Sequence, residues 1–280
     1  GTYAGEVPMY QAVAQSLNLP AVWLLHEIGL DKGFKKAKEF GLSLNDKDRY
    51  WGLALGGLRY GESPLTMASA YATFANGGTY YENHFIAKII DATGAVIVDN
   101  TGKKGTRVIS ESTANEMTSM LLGVFSNGTA VNAQPYNYQV AGKTGTTETN
   151  FDASKVNDQW IVGYTPDVVI STWLGYEKTT TQHYLTSTSG QGVGQVFKAQ
   201  AQGILPYTKN TAFPVVDAYQ TGGKVMSPEE AQDANQPSVK KQVDDFAAQA
   251  KEGLETFGQK VKEGFNNLLG GLVEKIQGNN

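Results

Sequence analysis

Three consecutive runs in the second half of the chain constrain its fold most: Tyr138–Thr147, Gln159–Tyr164 and Val168–Tyr176. Each is strand-like, and the last two meet at Thr165-Pro166-Asp167, so they are expected to pair as antiparallel strands. Helical patterns surround them. Pro8 to Gln15 reads as a helix broken by a turn at Ser16, and Pro20 as the first residue of a helix ending at Gly29. Asp31 is expected to cap a third helix stopped by Gly41. Ser63-Pro64 opens a helix running to Asn76-Gly77-Gly78, Ser110 opens another to about Phe125, and Gln195 to Leu205 reads as a closing helix. His84 to Ile90 and Ala95 to Val98 form an expected hairpin across Asp91-Ala92-Thr93-Gly94. The fold class expected is α+β, an antiparallel sheet flanked by helices.

The first run ends in Lys143-Thr144-Gly145-Thr146-Thr147. Side chains alternate along a strand, so Lys143 and Gly145 share a face. Gly145 has no Cβ, which lets a substrate backbone approach closely. Thr144 and Thr146 offer hydroxyl donors to a carboxylate. Desolvation disfavours a charged lysine, so a half-buried Lys143 is expected to have a use. It could supply positive charge to an anionic group or help move a proton. The main chain of an exposed strand can also pair with an extended peptide. On its own the stretch equally fits a threonine-rich turn on a hairpin. Far upstream, Ser16-Leu17-Asn18 lies on a helical pattern.

A Ser-x-Asn triplet followed by a strand-borne Lys-Thr-Gly resembles two of the three signature elements of penicillin-interacting serine enzymes. The likeness extends further. Ala14 to Val22 and the Gly29-Leu30-Asp31-Lys32 junction resemble the second-motif region of class A (bifunctional) penicillin-binding proteins. Leu53 to Gly56 and Ser63 to Gly78 resemble the helix that follows in that family. Val140 to Thr147, then Asp158 to Pro166, resemble its third motif with the downstream strand. The agreement runs from about residue 5 to about 205 and identifies the chain as the C-terminal part of a transpeptidase domain. The third signature, Ser-x-x-Lys, does not precede Ser16. The fold is therefore expected to be incomplete at its N-terminus, with the nucleophile on sequence outside this chain.

The resemblance implies roles. The outlying serine would attack the penultimate D-alanine carbonyl of a peptidoglycan stem peptide, or the ring of a β-lactam. Ser16 would relay a proton between the lysine of that motif and the leaving amine. Asn18 would hydrogen-bond the substrate amide and hold the same lysine. Lys143 would sit beside Ser16 and tune its proton affinity. Thr144 and Thr146 would bind the terminal carboxylate, with Gly145 between them. The Thr146 N–H would form half of an oxyanion hole. No cofactor is implied. The family places such a domain on the extracytoplasmic face of the bacterial membrane, anchored through an N-terminal segment. This chain alone is expected to be inactive, and one part of a nicked domain whose other part stays attached fits the same sequence. Ser238-Val239-Lys240-Lys241 formally reads Ser-x-x-Lys, but it follows the Lys-Thr-Gly in the reverse order and suits a helix N-cap better.

Composition bounds the alternatives. At 280 residues and 40% hydrophobic the chain can bury a core, and with no cysteine it has neither disulfides nor thiolate metal sites. A net charge of -4 and a pI of about 5.5 argue against a nucleic-acid binder. His26, His84 and His183 lack metal-ligand spacing, so no metal site is expected. No apolar run is long enough to span a membrane. Asp158 fits either a loop-orienting residue or a turn residue. Two rival functions remain open: a carboxypeptidase or β-lactamase in which water replaces the amine, and a non-catalytic β-lactam sensor or scaffold.

The expected boundaries are a transpeptidase part over 1–207, a polar linker over 208–239 and a tail over 240–280. The tail regains an apolar spacing of three and four, including Phe246, Leu254, Phe257, Val261, Phe265, Leu268, Leu272 and Ile276. Its lysines and acids cancel. It reads as an amphipathic helix, with a membrane surface or partner as its place, or as a disordered tail weakened by its glycines.

Overall fold

The computed structural model describes residues 5–235. Four helices lead the chain: α1 (Met9–Ala14), α2 (Asn18–Ile28), α3 (Leu30–Glu39) and α4 (Pro64–Ala75). Two short antiparallel pairs follow, β1 (Thr79–Tyr80) with β4 (Thr106–Arg107) and β2 (Lys88–Ile90) with β3 (Val96–Asp99). Then come α5 (Glu111–Ser126), β5 (Ala141–Glu148), β6 (Val156–Tyr164), β7 (Val169–Gly175), α6 (Val193–Ile204), α7 (Ala218–Thr221) and α8 (Pro228–Asn235). The main sheet has the order β5-β6-β7 and is antiparallel throughout. The α+β class expected from the sequence is the class found.

The helix ends follow the sequence signals closely. Ser63 accepts a hydrogen bond from the Thr66 amide at 3.1 Å, with Pro64 as the first residue of α4. Ser110 caps α5 in the same way through Thr113. At the other end of α4, Gly77 and Gly78 both have positive φ, and the Gly78 amide returns to Thr73 O at 2.7 Å. This is the Schellman arrangement, which closes the orphan carbonyls of the last turn.

Two expectations shift. α2 begins at Asn18, so Pro20 lies inside the first turn, where an amide proton has no helical partner to lose. Asp31 lies inside α3 rather than capping it, and its carboxylate pairs with Arg49.

The two faces of the main sheet are covered differently. α6 packs on the face that carries Ile161 and Gly163. A Cβ at Gly163 would meet the Phe197 ring at 2.4 Å, and Thr172 Oγ1 bonds Gln200 Oε1 at 2.6 Å. On the opposite face Tyr71 of α4 packs against Tyr164, whose hydroxyl meets Thr118 Oγ1 at 2.8 Å. Leu122, Phe125, Val140, Ile161, Phe197 and Leu205 join these elements in one buried core.

Residues 208–228, expected as linker, belong to the same compact unit as the sheet. Phe213 is only 5% exposed and joins the core, with its ring 6.0 Å from that of Tyr164. Asp217 is buried too and accepts from the Tyr219 amide at 2.9 Å and from Ser126 Oγ. A polar composition hid these few apolar anchors. A second unit begins at Glu229, and its described part is the rest of α8. The 240–280 tail and Ser238 lie outside the described residues. Among the described residues no helix is long and apolar enough to cross a membrane.

Candidate active site

Ser16 follows the end of α1 with a φ of 55°. Its amide bonds Val13 O at 3.2 Å and the Leu17 amide bonds Ala12 O at 3.0 Å. Ser16 thus occupies the left-handed position of a Schellman turn, where glycine is usual. A Cβ there costs about 1–2 kcal/mol. The turn aims the Ser16 hydroxyl away from its own helix.

Across the molecule, 127 residues later, Lys143 Nζ donates to Ser16 Oγ at 2.7 Å. A second bond, to Thr144 O at 3.0 Å, holds the ammonium over the strand. Lys143 is half-buried, and desolvation pushes its pKa down from 10.5 to about 8. At neutral pH it is still mostly a cation, yet close enough to its pKa to exchange a proton. Asn18 opens α2 and is exposed; its side chain makes no hydrogen bond among the described residues.

β5 is an edge strand, and its two faces carry different chemistry. Lys143, Gly145 and Thr147 lie opposite Val162, Trp160 and Asp158 of β6. This face lines a cleft of about 900 Å³, closed on its far side by the 53–67 segment and α4. A Cβ on Gly145 would come 3.2 Å from the Trp160 Cβ, so the glycine keeps the strand low against its neighbour. Asp158, expected in a loop or turn, is in β6; its Oδ2 accepts from the Trp173 indole at 3.2 Å.

Thr144 and Thr146 point to the other face. Thr144 Oγ1 meets Thr129 Oγ1 at 2.6 Å, and the Thr129 amide reaches back to Ala14 O at 3.1 Å. Thr129 therefore ties the end of α1 to the strand, which helps bring Ser16 and Lys143 together. Thr146 Oγ1 meets Ser189 Oγ at 2.6 Å. Sequence reading missed both Thr129 and Ser189. The only signal is the small-residue run Ser187-Thr188-Ser189-Gly190, which has no periodicity.

All the predicted site residues cluster around this stretch of β5 and the α1–α2 turn. A helix-flanked antiparallel sheet with a lysine–serine pair at its edge strand is the architecture of penicillin-interacting serine enzymes. The family model described as "Penicillin binding protein transpeptidase domain" matches residues 2–202, and the chain belongs to that family. It is 48% identical over 227 residues to penicillin-binding protein 2a of Streptococcus pneumoniae, covering 79% of this chain and 31% of that protein. It is 44% identical over 187 residues to penicillin-binding protein 1F of Bacillus subtilis, covering 67% of this chain and 26% of that protein. Among solved structures, the PonA1 protein of Mycobacterium tuberculosis in complex with penicillin V is similar at a TM-score of 0.66 and 26% identity. That match covers 77% of this chain and 61% of the other. The chain thus spans under a third of the length of these curated relatives.

Proposed function

We propose that this chain is the second- and third-motif part of a peptidoglycan D,D-transpeptidase that β-lactams acylate. The observation that carries the reading is the 2.7 Å bond between Lys143 and Ser16, made between the two motifs across the whole core. A lysine held near its own pKa beside a serine hydroxyl is a proton relay.

In this reading a serine from a Ser-x-x-Lys segment outside this chain attacks the D-alanyl carbonyl. Ser16, its proton affinity tuned by Lys143, passes a proton to the leaving amine. The acyl group then passes to an acceptor amine, whose proton travels through Ser16 to the oxygen of the released nucleophile. Asn18 holds the substrate amide and the lysine of the outlying motif. Thr144 and Thr146 take the terminal carboxylate. The Thr146 amide contributes to the oxyanion hole. Gly145 lets the peptide lie along the edge of β5. Stem peptides and β-lactams are the ligands, and the site of action is the extracytoplasmic face of the bacterial membrane. In the helical reading of the 240–280 sequence, its apolar stripe would lie at that surface.

Fluorescent penicillin labelling, resolved on a denaturing gel, tests this. The reading expects label in the full-length parent and none on the 30.1 kDa chain by itself. Label on this chain would place a nucleophile within it and overturn the assignment.

A further inference from the structure

We infer that Ser189 is a positioning residue for Thr146, setting the hydroxyl that takes the ligand's carboxylate; this rests on the transpeptidase reading above. Ser189 lies in the loop between β7 and α6 and is 1% exposed. It grips the strand three times. Its hydroxyl donates to Gly145 O, its amide donates to Thr146 Oγ1 at 3.3 Å, and its Oγ sits 2.6 Å from the same Thr146 oxygen. Ser189 has one hydroxyl proton, and Gly145 O takes it. The Thr146 hydroxyl is therefore the donor in the contact between the two side chains.

This assignment has a consequence for binding. An arriving carboxylate must draw the Thr146 proton away from Ser189. The Ser189 proton can then turn from Gly145 O to Thr146 Oγ1, so the threonine oxygen stays bonded while its proton serves the anion. Ser189 thus lowers the cost of re-aiming Thr146 and keeps its rotamer fixed.

The loop is built to hold Ser189 in place. Gln159 of β6 lies on the same sheet face as Thr146 and directly opposite it, and is fully buried. Its amide nitrogen donates to Ser187 O and to Ser187 Oγ at 3.1 Å. Its Oε1 accepts from the Val193 amide at 2.9 Å. One carboxamide therefore clamps both ends of the Ser187–Val193 loop. Gly192 makes the clamp possible, since a Cβ there would fall 2.1 Å from Gln159 Oε1. A buried amide with its donors and acceptor all satisfied fixes a loop more firmly than packing alone.

The test uses the full-length parent with benzylpenicillin and its methyl ester, which lacks the anionic carboxylate. The dissociation constant and the acylation rate constant are measured separately by stopped flow. Ser189→Ala should weaken binding of the free acid about five-fold, the worth of one hydrogen bond. It should leave ester binding and the acylation rate constant within two-fold, while the melting temperature falls because the buried hydrogen bonds to Gly145 O and Thr146 are lost. In a Thr146→Val background, Ser189→Ala should have no further effect. Equal losses for acid and ester, or a loss that persists in the Thr146→Val background, would overturn the proposal and leave the transpeptidase reading standing. An unsubstituted parent that takes no penicillin would overturn both.

Discussion

Replacing Lys143 with methionine should make the folded chain more stable at pH 6, although it removes two hydrogen bonds. The reason is the charge. Burial holds the Lys143 pKa near 8 against an ordinary value of 10.5. At 1.36 kcal/mol per pH unit, that gap corresponds to about 3 kcal/mol of destabilisation by the charged form. Lys143 is partly open to the cleft, so screening reduces this to about 2 kcal/mol. The bonds to Ser16 and Thr144 return about 1 kcal/mol, leaving a net gain of about 1 kcal/mol for Lys143→Met at pH 6. The sign with pH is fixed by linkage. Below pH 8 both folded and unfolded chains hold the proton and the penalty is complete. Between about 8 and 10.5 the unfolded chain binds more protons than the folded one, so the native protein gains stability as pH rises. Urea unfolding followed by tryptophan fluorescence at pH 6, 8 and 10 measures the gap between the two proteins. It should shrink toward zero or reverse by pH 10. A gap that does not change with pH, or a methionine variant weaker by more than about 1 kcal/mol at pH 6, would refute the argument.

Ser16→Gly relieves a left-handed Cβ and should leave stability unchanged or raise it by up to about 1 kcal/mol, while penicillin labelling of the parent falls at least a hundred-fold; thermal melts and gel labelling check the two halves. Phe213→Ala should cost about 3–4 kcal/mol in urea unfolding because it opens a cavity under Tyr164. A loss below about 1 kcal/mol would restore the linker reading of that stretch. Tyr164→Phe leaves the buried Thr118 hydroxyl without its partner and should cost about 1–2 kcal/mol in the same assay.

The sequence shows most clearly what is local. Ser63-Pro64 and Ser110 announce their helices because a cap needs only a side chain and the amide three residues on. The three strands of the main sheet are legible because each is a continuous run with a turn beside it. Ser16, Asn18 and Lys143 are legible as motifs, and the resemblance implies the approach of Lys143 to Ser16 that the fold shows. What escapes is long-range. β1 and β4 are two residues each and pair across 26 positions, too short for any pattern. Phe213 looks like an isolated apolar residue in polar chain until the core closes on it. Gln159 reads as the polar first residue of a strand, but its carboxamide satisfies a loop nearly thirty residues away. Ser189 and Thr129 gain meaning only from the threonines they touch.

The most direct test of the central claim is the rate of β-lactam acylation in the full-length parent, compared with its Lys143→Ala and Ser16→Ala variants. The lysine–serine relay predicts that each substitution slows acylation by at least a hundred-fold, and that the double variant is scarcely slower than either single one, because the two side chains act as one unit. Near-normal rates in both single variants would contradict it.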